Sequence, residues 1–149
     1  MTITRRSFVG AAAATLALGT LGRAGAQSPP LVSVYKSPAC GCCGEWITHM
    51  RANGFRVEIR DLADVTPIKS RYGIPYGLGS CHTAIVEGYA IEGHVPATDV
   101  QKLLRERPKV KGLAVPGMVP GSPGMDQGPP QTYATLAFDD RGTWAFARH

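Results

Sequence analysis

Three of the chain's four cysteines are crowded into four positions, Cys40-Gly41-Cys42-Cys43, and the fourth, Cys81, stands apart. The run holds a C-x-x-C pair, a C-x-C pair and a vicinal pair at once. It sits at a predicted helix N-terminus, where the macrodipole and free backbone N–H groups favour thiolate over thiol. A thiolate is both a nucleophile and a soft metal ligand, and thiolates joined by thioethers select copper(I) over harder ions. Two readings follow. In one, Cys40 and Cys43 form a redox dithiol, with Cys40 attacking and Cys43 resolving. In the other, the crowded thiolates act together on metal. Dithiol exchange needs only two thiols, and a third between them opens a competing disulfide. A metal cluster uses the crowding, because one sulfur can bridge two ions. The metal reading is the stronger of the two. A staple disulfide within the motif would close too small a loop to constrain much chain.

Ser80-Cys81-His82-Thr83 is the second constellation. Cys81 precedes a predicted strand and can complete a four-thiolate site; the alternative is a disulfide to one of the other three. His82 either ligates or hydrogen-bonds beside the site. His94 reads as a turn or capping histidine and is a secondary candidate. His49 is expected on the exposed side of the first helix, and His149, at the end of the sequence, carries no signal. Met118 and Met125 each follow Pro-Gly in a loop. Their thioethers suit copper(I) and ignore protonation; the alternative is that they fold back over the core, as Met50 is expected to do from a helix. A structural zinc site also takes four thiolates, but its usual paired C-x-x-C spacing is absent. No nucleotide-binding glycine pattern, paired carboxylates or Ser-His-Asp arrangement stands out.

These residues need elements to position them. Leu31 to Tyr35 is apolar and β-branched and reads as a strand. Gly44 to Asn53 reads as a helix with Cys43, Ile47 and Met50 on one face, and Gly54 stops it. Phe55 to Arg60 alternates as a second strand. Thr66-Pro67 opens a short helix ending at Gly73. Thr83 to Glu87 and Tyr89 to Glu92 form a hairpin about Gly88. Pro96 opens a helix with Val100, Leu103 and Leu104 inward, and Pro108 ends it. The Gly/Pro-rich stretch from Val115 to Met125 cannot be a helix or a central strand. Thr132 to Phe138 and Thr143 to Ala147 form a last hairpin. The expected fold is α/β: a thioredoxin-like mixed sheet flanked by helices, with a Gly/Pro-rich loop and a C-terminal hairpin extension.

The N-terminus reads as an address. Arg5-Arg6 precedes an apolar run from Val9 to Leu21, which is shorter than the ~20 residues a bilayer span needs. Ala24-Gly25-Ala26 closes it as a small-x-small cleavage site. The Arg-Arg-x-Phe order is that of a twin-arginine signal; the alternative is a membrane anchor. Residues 1–26 are thus expected to be cleaved, leaving one domain over 27–149. Cleavage takes three of the sixteen Lys and Arg, against eleven Asp and Glu, so the +5 of the whole chain falls to about +2. That balance gives no argument for nucleic acid, which calls for a clustered basic patch. Periplasmic localisation is expected, with no membrane association after cleavage.

At these residues the chain resembles the CopG-like periplasmic metal-binding proteins, long catalogued as a domain of unknown function. The resemblance rests on Cys40-Gly41-Cys42-Cys43-Gly44-x-Trp46, on Ser80-Cys81-His82-Thr83-Ala84 and on Gly88-Tyr89-x-Ile91-Glu92-Gly93-His94-Val95-Pro96. It continues through Gly112 to Met118 and Gly121-Ser122-Pro123-Gly124-Met125, and covers nearly all of residues 27–149. It implies a thioredoxin-like fold, a role in copper resistance and a cluster of copper(I) ions on the four cysteines. It also implies a redox role that interconverts copper states. Thioredoxins keep a cis-proline just before the third strand; here that segment is Gly79-Ser80-Cys81-His82, and the nearest proline is Pro75. A ligand stands where a substrate-positioning proline would.

The expectation is therefore an exported copper(I)-binding protein serving copper resistance. Its multinuclear cluster would lie on Cys40, Cys42, Cys43 and Cys81, with His82, Met118 and Met125 as further ligand candidates. A periplasmic thiol–disulfide oxidoreductase using Cys40 and Cys43 is the alternative, and zinc is the alternative metal. Expected partners are metal ions and other periplasmic copper-handling proteins.

Overall fold

The computed structural model describes residues 28–149. The expected signal, residues 1–26, lies outside the described residues. Strands and helices follow in the order β1 (Leu31–Lys36), α1 (Gly41–Ala52), β2 (Arg56–Asp61), α2 (Thr66–Arg71), a 3-10 turn (Tyr76–Leu78), β3 (His82–Val86) and β4 (Tyr89–Gly93). Then come α3 (Ala97–Glu106), β5 (Gly112–Val115), β6 (Ala134–Asp139) and β7 (Gly142–Arg148). The seven strands form one mixed sheet in the order β2-β1-β3-β4-β5-β6-β7. β1 runs parallel to β2, β4 runs parallel to β5, and the other neighbours are antiparallel.

Alternation along the strands decides the two faces. Val34, Ala84, Ile91, Leu113 and Ala137 lie in register across five strands, and all are buried. This row joins Trp46, Ile47 and Met50 of α1 and Val100 and Leu103 of α3 in the main core. The opposite face is smaller, with Ala90, Ala114 and Phe138 packed under Leu78, Tyr72 and Ile74. Burying one large apolar side chain stabilises by about 1.5–3 kcal/mol, so the α1 face anchors the helix that carries the cysteines. The Trp46 indole N–H donates to the Val95 carbonyl at 2.9 Å, which fixes α1 to the β4–α3 connection.

Several expectations are revised. α1 starts at Gly41, with Cys40 as its N-cap, so Cys42 and Cys43 belong to its first turn. α2 ends at Arg71, two residues before Gly73. Gly112–Val115 is a buried central strand; four residues between turn-formers leave little periodicity to read, and the loop excluded from the sheet begins after Val115. The C-terminal hairpin extends this same sheet as β6 and β7. His49 is half-buried, and its Nε2 accepts the Ala97 N–H at 3.0 Å, capping α3. His149 pairs with the buried Asp99 at 2.9 Å, so the end of the sequence is tied to α3. Among the described residues no helix is long and apolar enough to cross a membrane.

Candidate metal centre

The sheet order places β3 beside β1, so the segment entering β3 lies next to the segment leaving β1. The first carries Cys81, and the second leads through Ser37 to Cys40. The four sulfurs of Cys40, Cys42, Cys43 and Cys81 lie within 4.8 Å of one another. Cys42 Sγ bridges the two segments, 3.6 Å from Cys40 Sγ and 3.8 Å from Cys81 Sγ. Cys43 is fully buried, while the other three are partly exposed.

Cys40 and Cys43 are joined in a disulfide, with Cα atoms 5.4 Å apart; Cys42 and Cys81 are free. Closure of so small a ring constrains little chain. The bond therefore adds little as a staple of the fold. Cys81 is in no disulfide.

Histidine builds the inner wall. Cys81 Sγ lies 3.2 Å from His94 Nε2 and 3.4 Å from His82 Nδ1, and these three residues form a second close group that shares Cys81 with the first. Both rings are fully buried. His94 Nδ1 lies 2.8 Å from the Pro123 carbonyl. A carbonyl only accepts, so Nδ1 carries the proton and Nε2 turns its lone pair to the sulfur. His82 stacks at a tilt on Trp46, centroids 4.5 Å apart, and meets His94 edge-on. Its Nε2 is the one buried side-chain nitrogen or oxygen without a hydrogen-bond partner among the described residues. An orphaned buried nitrogen costs stability unless something meets it.

Burial governs the protonation of this wall. It pushes the Cys81 thiol up to about 11, with the neighbouring Cys42 adding to the shift. The helix-terminus argument for thiolate does not reach Cys81, which sits on a loop. Burial, then the positive charge His94 would carry, hold His82 well below the usual imidazole range; the Gly93 carbonyl offsets only part of this. Burial likewise lowers His94, against the Pro123 carbonyl. Both imidazoles are thus kept neutral, the form that ligates metal.

The Gly/Pro-rich loop closes over the outside. A β-carbon on Gly124 would stand 2.7 Å from Trp46 N and 3.0 Å from the Cys42 carbonyl, so this loop lies flush on the first turn of α1. A cavity of about 270 Å³ opens there between Gly41, Cys42 and Glu45 on one side and Gly124, Asp126 and Gln127 on the other. Met125 is buried in this loop and Met118 is 56% exposed. The two close groups of cysteine and histidine ligands hold His94 beside the expected cysteines and His82. The signal for His94 was its place after Glu92-Gly93 at the end of a predicted strand, and a turn role explained that place equally well.

A family of proteins of unknown function, DUF411, matches residues 78–125, a stretch holding Cys81, His82, His94, Met118 and Met125. Two solved structures of a copper resistance protein copG, forms 2 and 1, share 45% sequence identity with this chain. Each match covers 81% of this chain and 98% of the other, with TM-scores of 0.77 and 0.76. No curated protein matches the chain.

Proposed function

We propose that this chain, which belongs to the CopG-like copper-resistance family, is an exported protein that takes copper(I) as its cargo on one centre of four thiolates. The observation that carries the reading is the mutual approach of Cys40, Cys42, Cys43 and Cys81 within 4.8 Å. The donor set fits the ion: sulfur selects copper(I), and neutral imidazole nitrogen lies against the same thiol. His82 turns Nδ1 to that thiol, and its Nε2 has no hydrogen-bond partner. Four thiols close enough to share ions favour a multinuclear cluster. His94 and His82 are the inner candidate ligands, and Met125 and Met118 are the outer ones. The strand order β2-β1-β3-β4 with three helices supports a thioredoxin-like reading of the scaffold. Residues 1–26 fit a cleaved twin-arginine signal and a periplasmic site of action, where other copper-handling proteins would deliver or accept the ion.

Loading requires reduction of the Cys40–Cys43 bond. Two thiols of a reductant give up two electrons and two protons, leave as a disulfide, and free Cys40 and Cys43 as thiols. Each thiol that binds metal then releases its proton. The residues here hold, orient and exclude: α1 presents three sulfurs, the histidines support the fourth, and the Gly/Pro-rich loop covers Cys42.

A second reading is favoured by the disulfide itself: a thiol–disulfide oxidoreductase in which Cys40 and Cys43 turn over. Anaerobic copper(I) titration of the reduced mature chain against a competing chelator separates the two. The proposal expects more than one ion per chain, and Cys81→Ser should weaken binding strongly. No uptake would sink it, and disulfide turnover lost in Cys40→Ser but kept in Cys81→Ser would install the alternative. Metal analysis after growth with copper and zinc together tests zinc.

A further inference from the structure

We propose that Glu92 is the positioning residue of the metal centre: its carboxylate clamps the loop carrying Cys81 against the strand that leads to His94. The inference rests on the copper-binding reading and deepens it. Glu92 lies in β4, in register with Thr83 of β3, and is fully buried. A buried carboxylate is tolerated only when its lone pairs are met. Lys69 pairs with Oε1. The Ser80 backbone N–H donates to the same oxygen at 2.6 Å, and the Thr83 hydroxyl donates to Oε2 at 2.7 Å.

The contacts with Lys69 and Thr83 hold α2 and β3. The contact with Ser80 reaches outside the sheet, to the residue just before Cys81. Ser80 is held again by its hydroxyl, which donates to the Gly117 carbonyl at 2.5 Å. Gly93 lets the loop lie flat: its φ is +71°, and a β-carbon there would stand 2.6 Å from Ser80 Cβ. His94 follows and meets Cys81 Sγ at 3.2 Å. Within Glu92-Gly93-His94, the first residue sets where the loop sits, the second permits the approach and the third touches the thiol. This clamp occupies the position where the resemblance to thioredoxins would place a proline.

The test uses the reduced mature chain. Without metal, N-ethylmaleimide labelling and peptide mapping give the rate at Cys81 relative to Cys42. With metal, anaerobic competition gives copper(I) affinity. Glu92→Ala should label several-fold faster at Cys81 and bind copper(I) about 10–100-fold more weakly, the range for outer partners of metal ligands. Lys69→Met with Glu92→Gln keeps an acceptor for the Ser80 N–H while removing both charges, and should return both readings close to wild type. An unchanged Cys81 rate in folded Glu92→Ala overturns the proposal, and so does a double variant that fails to rescue. If Glu92→Ala does not fold, Ser80→Pro deletes the donor of the same hydrogen bond and is read identically against Ser80→Ala. Wild-type protein that takes up no copper(I) sinks the copper reading alone, because the labelling needs no metal.

Discussion

Cys40, Cys42 and Cys43 share one helix turn, and two of them are already joined in a disulfide. Cys81 instead sits on a loop wired into the sheet, between Ser80 on Glu92 and the rings of His82 and His94. The first half is crowded and carries the disulfide. The second is held in place and kept protonated by burial. The difference teaches a division of labour: α1 supplies sulfurs in number, and the β3–β4 side supplies one sulfur at a fixed place with neutral nitrogen behind it. Metal would join halves that redox chemistry treats separately.

Cys81 is the residue common to both close groups, and its removal should have the largest effect. Cys81→Ser should weaken copper(I) binding by more than the ~10–100-fold typical of an outer partner, as read by chelator competition. It should leave reduction of the Cys40–Cys43 bond at its wild-type rate. An equal effect on both would mean that the halves are not distinct.

His94→Gln comes next. It removes the nitrogen facing Cys81 and should cost about 10–100-fold in affinity, with the Cys40–Cys43 potential unchanged in a glutathione titration. An unaltered affinity would return His94 to a structural role.

Acid should find the inner wall before the outer one. Burial lowers His49, His82 and His94. The unfolded chain therefore binds protons at these sites more readily than the folded one, and stability falls as pH drops below about 6.5. The slope is at most about 1.4 kcal/mol per pH unit for each histidine, levelling off below the folded values. Urea midpoints of the metal-free chain at pH 7.5 and pH 5 measure this; a midpoint that stays level or rises on acidification would contradict it. The smallest effect is expected at the exposed rim, where Met118→Leu should change copper(I) affinity by at most about threefold, under 1 kcal/mol. A larger loss would bring that thioether into the centre.

Legibility divides along the same line. Cys40, Cys42 and Cys43 announce themselves because spacing within one helix turn is a local property. Cys81 could be added because strand order brings β3 beside β1. His94 could not be promoted, because its contact with Cys81 depends on how tightly two loops meet across Gly93. Glu92 stood in the sequence only as the last residue of a short strand, yet it is buried and bonded to Lys69, Ser80 and Thr83. β5 escaped notice for its shortness, and the tie of His149 to Asp99 because it spans 50 positions of sequence. α1 and α3 are legible because their apolar periodicity is long enough to stand alone, and the short α2, which buries no residue, because Thr66-Pro67 marks its start.

If the two halves act as one centre, their thiols should be consumed together during metal uptake, and thiol counting shows whether they are. The reduced mature chain is loaded anaerobically with increasing copper(I) and pulsed with N-ethylmaleimide, and labelling is read separately for the peptide of Cys40, Cys42 and Cys43 and for that of Cys81. Both peptides should lose labelling together as copper(I) binds. Copper(I) uptake that protects the α1 cysteines while Cys81 stays fully reactive would contradict it.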